Sequence, residues 1–142
     1  MPDFDALWKA VAAHGDNATA AMADQGVLWT ALFSLDEWHI LFAADPSTPR
    51  PQILRYDGQN WAMVFTDKDR LQAFAKEMNL TLETGHALFV SLDVPAARRA
   101  LKSMGQHGIH GARFNQGENG WFSPMPNIEA IHQYLVNDGS LP

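Results

Sequence analysis

His107 and His110 stand three residues apart, the spacing at which a helix would turn two imidazoles toward one cation. Gly105, Gly108 and Gly111 punctuate the same stretch and argue against a helix there, and no third histidine or carboxylate lies near in sequence. The residues therefore read as two turn or surface histidines. They become a metal site, or the base of a hydrolase, only if the fold brings a carboxylate to them. The three glycines spell G-x-x-G-x-x-G, which lacks both the spacing of the dinucleotide fingerprint and the Lys-Ser/Thr of a phosphate loop, so a helix end followed by a turn accounts for them. Asn115-x-Gly117-x-Asn119-Gly120 alternates oxygen donors as calcium loops do. Counting from Asn115, however, the position that demands a bidentate glutamate is Pro126. Ser34, Ser91, Ser103 and Ser123 are candidate serine nucleophiles. None sits in a G-x-S-x-G elbow, so a serine–histidine pair would have to be assembled by the fold. The paired carboxylates Asp36-Glu37 and Asp67/Asp69 fall where turns and helix starts favour acidic residues. The chain has no cysteine, which removes thiolate nucleophiles, disulfides, zinc–thiolate sites and iron–sulfur clusters together. No constellation specifies a reaction, and no cofactor is expected.

The aromatic residues offer recognition in place of catalysis. Trp29, Trp38 and Trp61 lie in apolar runs and read as core. Trp121 follows a polar loop and stands beside Phe122 and Met125; exposed together, these three would form an apolar patch suited to a protein partner or a second copy. Sixteen acidic against ten basic residues give a net charge of −6, which repels a phosphate backbone. The densest basic group, Arg98, Arg99 and Lys102, falls on the solvent side of a helix whose other side is Val94, Ala97, Leu101 and Met104. Nucleic acid is not expected as a partner. The opening MPDFDALWKA is acidic where an export signal would be basic, and no apolar run approaches the ~20 residues that span a bilayer, so a cytoplasmic protein without membrane association is expected.

Elements that would position these residues follow from periodicity. A helix starts near Asp3 with Phe4, Leu7, Trp8 and Val11 at helical spacing, is interrupted at His14 to Asn17, resumes at Ala18 to Ala23 and closes at Gln25-Gly26, giving a helical segment over 1–25. Val27 to Phe33 and Trp38 to Ala44 carry apolar residues on both parities and read as central strands joined by a hairpin at Ser34 to Glu37. Three prolines between Asp45 and Pro51 demand an irregular loop. Ile53 and Leu54 lead through the Asp57-Gly58 turn into Trp61 to Phe65, after which Thr66 is placed to cap a helix bearing Leu71, Phe74, Ala75 and Met78. Ala87 to Leu92 is a further strand, and Asp93-Val94-Pro95 a helix start with proline in the first turn. Ile109 to Phe114 and Trp121-Phe122 flank a hairpin loop. The last helix aligns Ile128, Ile131, Leu135 and Val136. With 46% hydrophobic residues in 142, these elements fit one domain over 1–142: an α/β fold with a single mixed sheet of about six strands, antiparallel hairpins and β-α-β crossovers, and about four flanking helices.

The order of elements from Trp29 to Leu135 resembles the N-terminal domain of the SseB-like proteins, a group of small bacterial α/β domains. The likeness rests on the hairpin Ile53 to Gln59, on Val64-Phe65-Thr66-Asp67-Lys68-Asp69-Arg70-Leu71 as an apolar strand running into "FT" and an acidic helix start, and on Gly111-Ala112-Arg113-Phe114-Asn115 as a late strand ending in asparagine. Gln116-Gly117 stands where a proline is usual in that family, and the segment from Trp8 to Ala23 has no counterpart in its pattern. The resemblance implies a bacterial cytoplasmic domain without a catalytic site, and brings no functional residues with it. Three functions remain in order of preference: a non-catalytic binding or scaffolding module acting on a protein partner or as a homodimer, an enzyme using a His107/His110/carboxylate site, and a small-ligand or nucleotide sensor with a pocket lined by Trp121 or Tyr56.

Overall fold

The computed structural model describes residues 1–142. Its centre is the strand β3 (Gln59–Phe65), whose side chains alternate so that Trp61, Met63 and Phe65 are buried on one face and Ala62 and Val64 on the other. The other elements are α1 (Phe4–Ala12), α2 (Ala18–Phe33), β1 (Glu37–Leu41), β2 (Ile53–Tyr56), α3 (Lys68–Glu77), β4 (Phe89–Asp93), α4 (Val94–Gln106), β5 (Gly111–Phe114), β6 (Trp121–Pro124) and α5 (Met125–Asn137). The fold is an open mixed α/β sheet of six strands in the order β4-β1-β3-β5-β6, with β2 also paired to β3. β1 and β2 lie end to end along one edge of β3, Ile40 opposite Val64 and Ile53 opposite Ala62, and the proline-rich loop is looped out between them. A bridge between Phe42 and Pro51 closes that loop.

β1 is antiparallel to both β3 and β4, and β3 is parallel to β5, so β3, β4 and β5 run the same way. The β3-α3-β4 crossover passes over β1, and β4-α4-β5 returns across β1 and β3. Right-handed crossovers in opposite directions place their helices on opposite faces. Accordingly Leu71, Phe74 and Ala75 of α3 pack on Leu41, Trp61, Met63 and Phe65, whereas Val94, Ala97 and Leu101 of α4 pack on Trp38, Ile40, Val64, Ala112 and Phe114. The remaining helices α1, α2 and α5 all join the cluster on the α4 side, which holds 21 buried residues against 8 on the α3 side. The two faces are therefore covered unequally.

The start of each of the first four helices is tied down by its own side-chain cap. Asp3, Asn17, Asp67 and Asp93 accept from the amides of Ala6, Ala20, Arg70 and Ala96 at 2.8 to 3.0 Å. The cap of α3 is thus Asp67 and not Thr66. Thr66 is buried, its amide donating to Asn115 Oδ1 at 2.9 Å while Asn115 Nδ2 donates to the Thr66 hydroxyl at 3.0 Å. This two-way bond joins the C-terminal ends of the parallel strands β3 and β5.

A larger difference concerns Val27 to Phe33, which continues α2 and is not a strand. Gly26 lies within the helix, tolerated at a cost of about 1 kcal/mol relative to alanine, because Leu28, Trp29, Leu32 and Phe33 are all buried. A short run apolar on both parities fits a buried helix as well as a buried strand. Ser34 to Asp36 consequently link a helix to a strand, with the indole of Trp38 donating to Leu32 O at 2.9 Å. The helices number five. Met78, expected on the apolar face of α3, is its C-cap residue and is exposed.

The three glycines of G-x-x-G-x-x-G serve packing and a turn. A Cβ at Gly105 would sit 2.8 Å from that of Met125, and one at Gly111 would sit 2.6 Å from the Trp61 ring, while Gly108 (φ +91°) turns the chain out of α4. Asp57 and Gly58 take the positive φ values, 52° and 75°, that the β2–β3 turn requires.

Replacing Asn115 by alanine strips the buried Thr66 amide and hydroxyl of their partner and leaves alanine at φ 50°. Asn115→Ala is expected to cost about 2 to 4 kcal/mol in urea unfolding. A loss below about 0.5 kcal/mol, the size of a typical surface change, would show that the clamp contributes little.

Candidate functional site

The residues singled out for chemistry do not converge. Nδ1 of the exposed His107 lies 2.8 Å from Ser103 O at the end of α4, and His110 stands edge-on to the Trp61 ring at 5.0 Å. No three His, Cys, Asp or Glu side chains come close enough anywhere to hold a metal ion, so the carboxylate that a His107/His110 site requires does not arrive. Trp121, Phe122 and Met125 do not form one patch either. Trp121 is buried with its ring stacked on Phe4 at 6.1 Å and Phe114 at 5.8 Å, and Met125 is buried where Gly105 makes room for it. Phe122, next to Trp121 on a strand, points to the opposite face and is 58% exposed.

The fold does assemble one serine–histidine pair. His39 and Ser91 face each other across β1 and β4, with Nδ1 and Oγ 2.7 Å apart. His39 is buried and lines a polar cleft of about 590 Å3 with Ser34, Asp36, Glu37, Asp67 and Asp69, so both carboxylate pairs reach one place. Ser91 does not line that cleft, and its hydroxyl is engaged with the His39 ring. Burial holds the imidazole of His39 below its usual pKa, against the opposing pull of Glu37. The pair has the geometry of a cross-strand structural bond.

A larger concavity than the His39 cleft lies elsewhere, between α2 and α5. It is a groove of about 850 Å3 floored by Trp29, Ile131 and Leu135, with Met22, Val27 and Tyr134 on its flanks. Those three side chains are 61%, 54% and 60% exposed, although their helices have already buried an apolar face in the core. α2 is apolar on nearly every side, a pattern that belongs to a helix covered all round. Charge is scarce along it. Asp24 is hydrogen-bonded to His14 at 2.7 Å, and Asp138 at the end of α5 accepts from the Ser140 amide at 2.9 Å. The groove is hidden in the sequence, because a strand over Val27 to Phe33 divides the helix that forms it. The visible signal was that Met22 and Val27 remain apolar on the side of α2 away from Leu28 and Leu32.

Two histidines carry a pH dependence. His39 and His132 are both held below the ordinary value of 6.5 by burial, His132 also by Arg98. A histidine whose folded pKa is depressed contributes stability that is complete above 6.5 and is lost as pH falls toward its folded value. Asp5 and Glu129, held down by hydrogen bonds from Arg70 and Arg98, lose their contribution only as pH falls below their ordinary 3.8 and 4.5. The unfolding midpoint should thus be level above neutrality and decline as pH drops from 6.5. His39→Gln should flatten that decline; an unchanged slope in calorimetry would contradict the assignment. No protein-family model matches this chain, and no curated protein matches it.

Proposed function

We propose that this chain is a non-catalytic binding module that acts by docking a second copy of itself along the α2–α5 groove. The observation that carries this reading is the exposed apolar ridge of Met22 and Val27 immediately beside an apolar groove. A two-fold contact needs ridge and groove on the same surface, so that each copy fills the other. The charge distribution favours a second copy. At a net charge of −6 two chains repel across most of their surfaces, whereas along this groove the acidic groups are few and internally bonded. The scattered positions of His107, His110 and the carboxylates, and a Ser91 hydroxyl that is bonded to His39 without lining the cleft, lend the enzymatic reading no support.

The likeness to the SseB-like N-terminal domain belongs to the same proposal. It is supported by the meeting of two places that carry it, Thr66 of the Phe65-Thr66 junction and Asn115 at the end of the late strand. A bacterial, cytoplasmic setting follows from that likeness. No helix is long and apolar enough to cross a membrane.

Light scattering over about 1 µM to about 1 mM covers association free energies of about 8 to 4 kcal/mol. The mass is expected to rise from one chain to two. Val27→Glu should remain monomeric with an unchanged unfolding midpoint, since the side chain is already exposed, while Phe122→Glu on the opposite face should associate as the parent does. A single-chain mass throughout, or association of Val27→Glu equal to the parent's, would refute the reading.

A further inference from the structure

α3 covers the β1 end of its sheet face, and no helix lies over the half formed by β2, the start of β3, β5 and β6. Tyr56, Trp61, Arg113 and Phe122 meet on that half. The Arg113 guanidinium carbon lies 4.4, 4.6 and 4.9 Å from the ring centroids of Tyr56, Trp61 and Phe122. Three π faces attract the cation but accept few of its in-plane N–H bonds. The side chain is only 11% exposed, and its Nε is buried without a partner. Its nearest carboxylate, Asp57, stands on the β2–β3 turn, is 91% exposed and leaves 3.6 Å between Nη2 and Oδ2, too far for a hydrogen bond. Arg98 and Arg70, by contrast, each donate two side-chain hydrogen bonds to carboxylates. Buried charges are ordinarily paired closely, and the guanidinium of Arg113 has only this loose, exposed carboxylate at its terminal nitrogens.

The geometry points to Arg113 as the anchor of a binding site for a small organic carboxylate. A carboxylate presents two coplanar oxygens that match the edge of a guanidinium, and such pairs hold by two parallel N–H bonds. The charge present favours a monoanion over phosphate: Arg113 is a single cation, and Asp57 adds a negative group at the rim. Arg55 belongs to the opposite face by strand alternation, and His110 lies against Trp61. Phe122, more than half exposed, offers a ring on which the carbon skeleton of the ligand can rest. Asp57 then occupies loosely the position that a ligand carboxylate would take in full, and acts as its competitor. This site is separate from the α2–α5 groove and does not depend on self-association.

The test follows the side-chain N–H resonances of Arg113 in 15N-labelled protein during titration with acetate, benzoate and inorganic phosphate at constant ionic strength. Saturable shifts are expected with both carboxylates, with benzoate several-fold tighter than acetate because its ring can lie on Phe122. Phosphate should bind more weakly than either. Asp57→Asn, a change at an exposed turn position whose positive φ asparagine also tolerates, should tighten benzoate severalfold by removing the competitor. Arg113→Lys, which keeps the charge and loses the fork, should abolish the saturable benzoate shifts that the parent shows at the backbone amides of Asp57 and Phe122. Shifts that grow without saturating, tighter binding of phosphate than of benzoate, or an unchanged affinity in Asp57→Asn would each overturn the proposal. The last of these does not depend on whether the Arg113 variant folds.

Discussion

β3 pairs with β1 and β2 along one edge and β5 along the other, and this crowding of the central strand dictates how the two sheet faces are covered. Because the chain leaves β3 toward β4 and later returns from β4 to β5, its two right-handed crossovers lie on opposite faces. Four helices then share one side and α3 alone serves the other. The side chains of β3 match this imbalance. Ala62 and Val64 are small where the helices crowd, and Trp61, Met63 and Phe65 are large where the cover is thin. Rings and an arginine stem do on the bare half what a helix does elsewhere, shielding Trp61 to 4% exposure.

The same imbalance places the unsatisfied surfaces. On the crowded face α2 and α5 lie at the outer layer, each burying one side in the core and leaving apolar side chains on the other. On the thin face a cation is enclosed by rings without a full partner. Both surfaces lack the converging titratable groups of a catalytic centre, and both have unmet contacts, apolar in one case and polar in the other. The proposed role in recognition rests on these unmet contacts.

Much of the frame was legible where local chemistry dictates conformation. Asp57-Gly58 marks a tight turn because few other pairs accept two positive φ values, and Asp93-Val94-Pro95 marks a helix start because its carboxylate and proline suit the first turn. α2 was not legible, since apolar residues on every side erase the difference between periods of two and 3.6. Local sequence makes Thr66 look like a cap because its partner, Asn115, lies 49 residues away. The Arg113 cage was invisible for a similar reason: it draws its rings from β2, β3 and β6, and strand order is not written in local pattern. Adjacency groups Trp121 and Met125 with Phe122, whereas strand alternation and the space beside Gly105 take them into the core.

The central claim is that the outer faces of α2 and α5 are a recognition surface and not merely the outside of a helical layer. The most direct measurement is a pair of amide proton–nitrogen correlation spectra of the same protein at low and at high concentration. Self-docking requires the shifts to concentrate on 22–30 and 127–138, with the β-sheet and the Arg113 face unchanged. Identical spectra, or shifts confined to another face, would contradict the account.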